Sequence, residues 1–165
     1  MTRVFIADTR TEERFALSLM MRDLHLEVVG EAADWATTFR EVRASQAELL
    51  LVDWELLPSP PNTALDGLRK ICRADLRIVL ISKLEARQQA ALSSGADTFI
   101  SKAEASHRMA EQFVAAAADI QSQVAPDSIG FFSLIGGRAR EASADTALST
   151  ATGTDRHGEA EATNA

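Results

Sequence analysis

Five short apolar runs, each separated from the next by a longer amphipathic stretch, constrain this chain more than any other feature. The runs are Val4-Phe5-Ile6-Ala7, Val28-Val29, Leu49-Leu50-Leu51-Val52, Ile78-Val79-Leu80-Ile81 and Thr98-Phe99-Ile100. Unbroken apolar runs of this length suit strands buried on both faces, as a parallel sheet requires. The stretches between them follow helical spacing. Residues 11–24 place Phe15, Ala16, Leu19 and Met20 on one face, with Thr11 as the cap, and residues 34–44 open at Asp34. Residues 65–73 carry Leu65, Leu68, Ile71 and Cys72. Residues 85–94 stop at Gly95, and residues 105–123 align Met109, Phe113, Ala116 and Ala117.

The resulting order, βαβαβαβαβα, predicts an α/β fold: a doubly wound five-stranded parallel sheet with helices on both faces. Right-handed crossovers leave few topologies, and five strands favour the flavodoxin-like order 2-1-3-4-5. One connection stands out. Residues 53–64 read DWELLPSPPNTA, and Pro58, Pro60 and Pro61 predict a long, stiff loop at the carboxyl end of the third strand. Composition then shifts from Pro126 onward. Residues 138–165 hold Leu148 as their one large aliphatic side chain, so residues 125–165 read as a low-complexity, disordered tail. Within it, residues 129–135 (IGFFSLI) form an apolar segment, read either as packing on the domain or as docking to a partner or a second copy.

Charge and composition exclude several classes. A net charge of −7 argues against direct nucleic-acid binding. Cys72 is the single cysteine, so no intramolecular disulfide forms and a reducing compartment fits. No apolar run reaches the roughly 18 residues of a membrane helix, and MTRVFIAD does not read as a secretory signal. The expectation is a cytoplasmic protein with neither nucleic acid nor membrane as a direct partner.

In open α/β sheets the ligand crevice lies beyond the carboxyl ends of the strands. The polar residues there are Asp8, Asp53, Ser82 and Lys102 after strands one, three, four and five. Strands one and three are neighbours in the expected order, which sets Asp8 and Asp53 side by side, roughly 4.8 Å apart. Two such carboxylates need a compensating cation, and Lys102 and a hard divalent ion such as Mg2+ are the available ones. Asp53 could then attack phosphorus, while Lys102 and the metal neutralise developing charge and Ser82 donates to a phosphoryl oxygen. Against this stand blander roles: Asp8 and Ser82 as helix caps, and Lys102 as a solvated strand end.

With these residues in place, the chain resembles a CheY-like receiver domain of bacterial response regulators over residues 1–122, with a domain boundary at residue 124. VFIAD, VVGEAAD, LLLVDW, LDGL at 65–68, VLIS and SGADTFISK carry the resemblance through their order and spacing. The resemblance implies Asp53 as phosphoacceptor, Ser82 and Phe99 as switch residues, Lys102 as the site lysine, and Mg2+ held by Asp8, Asp53 and Glu55. For Glu55 the contact would be its backbone carbonyl or its side chain. It also implies a histidine kinase or phosphotransfer protein upstream, and a downstream protein target or homodimer bound through the face of helix four, strand five and helix five. The departures are specific. Thr9 stands where the family has a second acid and should weaken Mg2+ binding. Lys83 stands where relatives have a small residue, and Ala103 where many have proline.

Three readings follow. The first is a stand-alone receiver, not an enzyme beyond its own phosphorylation from a donor and its own dephosphorylation. The second is a pseudo-receiver that binds partners independently of phosphate. The third, a small enzyme or cofactor-binding domain on the same fold, lacks a Gly-rich phosphate loop, since Gly30, Gly67 and Gly95 are isolated.

Overall fold

The computed structural model describes residues 1–123. The expected tail at 125–165, with its apolar segment 129–135, falls outside the described residues. Ten elements alternate as anticipated. The strands are β1 (Arg3–Ala7), β2 (Glu27–Ala32), β3 (Leu49–Asp53), β4 (Arg77–Ser82) and β5 (Thr98–Ser101). The helices are α1 (Thr11–Asp23), α2 (Trp35–Ser45), α3 (Pro61–Ile71), α4 (Gln88–Ser93) and α5 (Ser106–Gln123). All strands pair in parallel in the order β2-β1-β3-β4-β5.

Side chains alternate across a strand, so each apolar run feeds two cores. Val4, Ile6, Leu49, Leu51, Val79, Ile81 and Ile100 pack with Leu17 and Met21 of α1 and with Met109, Phe113 and Ile120 of α5. Phe5, Ala7, Leu50, Val52, Ile78 and Leu80 pack on the other face with Val42 of α2, Leu65 and Leu68 of α3, and Ala91 of α4. With both faces covered, the central strands have no polar side to show. That is why they read as unbroken runs rather than as alternation.

Three details differ from expectation. On α1 the buried residues are Leu17 and Met21, whereas Phe15 is 63% and Leu19 41% exposed. The helix carries apolar side chains most of the way round, so spacing alone could not pick the face. Thr11 begins that helix but does not cap it; the N-cap position is Arg10, without a side-chain cap bond. The loop after β3 is also shorter than the prolines suggested. A 3-10 turn covers Trp54–Leu56, and Pro61 occupies the first turn of α3, where its missing N–H costs nothing. Elsewhere Asp34 caps α2 through Thr37 N, and Gly95 follows α4 at φ +99°, a left-handed geometry that glycine tolerates.

Gly30 has a packing reason. It pairs with Phe5 at the point where the β1–β2 register shifts, and a Cβ there would lie 2.5 Å from Phe5 Cε2. Phe5 is fully buried and has little room to move. Gly30→Ala should therefore lower stability by about 1–3 kcal/mol, read as a lower urea midpoint at unchanged slope. An unchanged midpoint would show that the Phe5 ring relaxes freely.

Candidate functional site

The site grows out of strand register. Ala7 of β1 pairs with Val52 of β3, so the next residues, Asp8 and Asp53, emerge side by side at the carboxyl edge of the sheet. Asp53 also pairs with Ile81 of β4, which places Ser82 one step further on the adjacent strand. The backbone N–H of Lys102, just past β5, donates to the Ser82 carbonyl at 2.7 Å and fixes the start of the lysine side chain. All four residues expected at the crevice thus stand at one rim. Asp8 and Asp53, with Ser82, Glu13 and Lys83, line one cavity of about 280 Å3 that Thr9 and Glu55 also border.

Lys102 is the centre of charge. Its Nζ donates to Asp53 Oδ2, and it lies 2.5 Å from both Asp8 Oδ2 and Glu13 Oε2. The lysine side chain is 8% exposed and Asp8 is 1% exposed. Burial disfavours the Lys102 charge, but the hydrogen bonds to Asp53, Asp8 and Glu13 prevail and raise its pKa above the ordinary lysine value. Burial likewise opposes the charge on Glu13. Hydrogen bonds from Lys102 and Lys83 overcome it and hold its carboxyl at about 2. The second oxygens of the two aspartates serve the backbone: Asp8 Oδ1 accepts from Arg10 N at 2.8 Å, and Asp53 Oδ1 from Glu55 N at 2.7 Å. Asp53 therefore caps the Trp54–Leu56 turn as well as serving the ionic cluster, whereas the Asp8 bond to Arg10 N holds the turn before α1 and caps no helix. Ser82 Oγ accepts from Leu84 N at 3.2 Å.

Glu13 escaped the sequence reading. An acidic residue in the first turn of a helix ordinarily complements the helix dipole, and nothing in the spacing distinguishes it from Glu12. Its carboxylate, with those of Asp8 and Asp53, forms the metal-capable cluster found among the described residues, the three ligand oxygens lying within 4.8 Å of one another. Hard carboxylate oxygens at this spacing suit Mg2+, and the Lys102 ammonium already draws all three inward, so the donor set fits a cation. The Glu55 carboxylate is directed elsewhere: it pairs with Arg87 at 2.9 Å, and Arg87 lies 5.5 Å over the Trp54 ring. Lys83 does not simply extend into solvent; its Nζ meets Glu13 Oε1 at 2.7 Å. Phe99 is half-buried against the α2–α3–α4 core and borders a separate cavity with Thr98, Ser101 and Gln112.

Solved structures similar to this one are receiver domains of response regulators. They include the response regulator domain of CheB from Thermotoga maritima (22% identity, 74% of this chain and 95% of that one, TM-score 0.56). A CheY-like response regulator receiver domain protein from Methanospirillum hungatei JF-1 shares 18% identity over 74% of this chain and 98% of its own, at a TM-score of 0.63. The isolated REC domain of RcsB from Salmonella enterica serovar Typhimurium shares 16% identity over 72% and 97%, at a TM-score of 0.60. No protein-family model and no curated protein matches the chain. The described residues have the receiver-domain fold. Among them, no helix is long and apolar enough to cross a membrane.

The Glu13 carboxyl sets a pH dependence. Its folded pKa lies below its ordinary value of 4.5, so its ionisation stabilises the fold above that value and ceases to do so as pH falls from 4.5 towards 2. In metal-free buffer, wild type should have a higher urea midpoint than Glu13→Gln at pH 6, and the gap should narrow as pH falls below 4.5 and close only near pH 2. A gap that persists at low pH would mean the carboxylate charge is not what stabilises.

Proposed function

We propose that this protein is a receiver in a phosphorelay, taking a phosphoryl group on Asp53 and changing its affinity for a protein partner in response. One observation supports this above the others: the Lys102 ammonium joins Asp8 and Asp53 at the wall of a cavity that Ser82 shares. The reading also draws on the fold, which it shares with domains such as the RcsB receiver, a structure determined in the presence of phosphomimetic BeF3−.

In this reading an Asp53 carboxylate oxygen attacks the phosphorus of an acyl phosphate or a phosphohistidine. The O–P bond forms as the donor's P–O or P–N bond breaks, and the electron pair leaves with the carboxylate or imidazole. Lys102 shifts from the carboxylates towards the incoming phosphoryl oxygens, and the Ser82 hydroxyl donates to one of them. Asp8, Asp53 and Glu13 would hold Mg2+, with the Glu55 backbone carbonyl as a further ligand. Bound there, Mg2+ supplies positive charge against the phosphoryl oxygens. A phosphoryl group adds about −1.5 to −2 charge, and Ser82 and Phe99 transmit the change to α4, β5 and α5. The upstream partner would be a histidine kinase or phosphotransfer protein, the downstream one a protein target or a second copy. The setting would be the cytoplasm.

A second reading, a pseudo-receiver binding partners without phosphate, draws on Thr9 in place of a second acid and on Lys83 held across the cavity by Glu13. Incubation with acetyl phosphate and Mg2+ separates the two. The first reading expects a mass gain of one phosphoryl group that is labile to base and absent in Asp53→Asn. No gain at saturating Mg2+ would favour the second.

A further inference from the structure

Glu13 uses its two carboxylate oxygens for two lysines that follow the ends of different strands. Oε2 lies 2.5 Å from Lys102 Nζ inside the site, and Oε1 lies 2.7 Å from Lys83 Nζ at its edge. The lysine environments differ: the Lys102 side chain is 8% exposed, that of Lys83 56%. Lys83 borders both the acidic cavity and the adjoining groove between α1 and α5, so it stands where the two meet. Glu13 therefore ties α1 by charge to the segments that follow both β4 and β5.

The charge balance gives this arrangement a consequence. Asp8, Asp53 and Glu13 bring three carboxylates to the buried Lys102, leaving a net negative centre. Lys83 offsets part of that excess, but from a solvated position where an ion pair contributes little. A divalent cation would offset it from within. Thr9 offers no carboxylate to such a cation, and Glu13 already points one at the same centre.

We propose that Glu13 supplies to a divalent cation the carboxylate that Thr9 lacks, and that Lys83 competes with the cation for it. In the cation-free site Glu13 tethers Lys83. When Glu13 turns to a cation it gives up Lys83, whose ammonium is then free at the edge where an anionic donor enters. The proposal deepens the phosphoacceptor reading and rests on it for the purpose of the released lysine. The competition itself is a matter of binding alone.

The test is calorimetric titration of the full chain with MgCl2. Glu13→Gln should weaken Mg2+ binding about tenfold. Lys83→Gln, which removes the competitor, should tighten it about threefold. Adding Thr9→Asp to Glu13→Gln should recover wild-type affinity by returning a carboxylate to the cluster, which separates ligation from a merely structural role. Equal affinity in wild type and Glu13→Gln, no tightening in Lys83→Gln, or no Mg2+ binding by wild type overturns the proposal. Labelling with acetyl phosphate keeps the two claims apart. A chain that shows the Mg2+ series but takes no phosphoryl group supports the Glu13 assignment and overturns the phosphoacceptor reading. A chain labelled on Asp53 whose Glu13→Gln variant binds Mg2+ as wild type does retains the reading and overturns the assignment.

Discussion

One buried ammonium holds the functional end of this protein together. Lys102 is drawn in by Asp8, Asp53 and Glu13, which come from the ends of β1 and β3 and the first turn of α1. Burying a charge costs several kcal/mol unless partners are at hand, and each group here is the other's partner. Side by side at a sheet edge, the ionised aspartates would repel one another without a cation between them. Nor could the lysine lie 8% exposed without its carboxylates. The cluster is thus a mutual requirement among four positions drawn from three separate stretches of the sequence.

The sheet makes that requirement easy to meet. Parallel strands end together, and covering both faces with helices leaves the strand ends as the place where polar groups can gather. β3, fully buried along its length, acts as the fixed axis, with Asp53 at its end. On either side β1 brings Asp8 and β4 brings Ser82, and the turn after β5 brings Lys102. The loops above are joined by a second charge contact, Glu55 with Arg87, stacked on Trp54. The segment after β3 and the segment after β4 are therefore tied together just outside the cavity.

What was legible in the sequence follows from burial. A strand buried on both faces admits almost no polar residue, so the strands of the parallel sheet announced themselves, as did the polar residue ending each one. Handedness left few strand orders, the flavodoxin-like one was favoured for five strands, and from that order followed the convergence of Asp8, Asp53, Ser82 and Lys102. What was not legible depends on contacts between distant elements. α1 carries Phe15, Leu17, Leu19 and Met21, and only the packed fold decides that Leu17 and Met21 face inward. Glu13 looks like any acid opening a helix until β5 delivers a lysine to it. Glu55 lies two residues from Asp53 and seemed placed to reach the cluster, yet Arg87, more than thirty residues on, claims its carboxylate. The loop after β3 seemed longer because Pro61 reads equally as a loop residue or as the first residue of a helix.

The most direct test is the titration of Lys102 itself, followed by 15N NMR of the lysine Nζ groups in metal-free protein and assigned by its loss in Lys102→Arg. A carboxylate-bound ammonium should titrate above the ordinary lysine value of 10.5, and Asp53→Asn should bring it down. A Lys102 that titrates at or below that value, and that does not respond to Asp53→Asn, would mean the four positions do not share one charge centre.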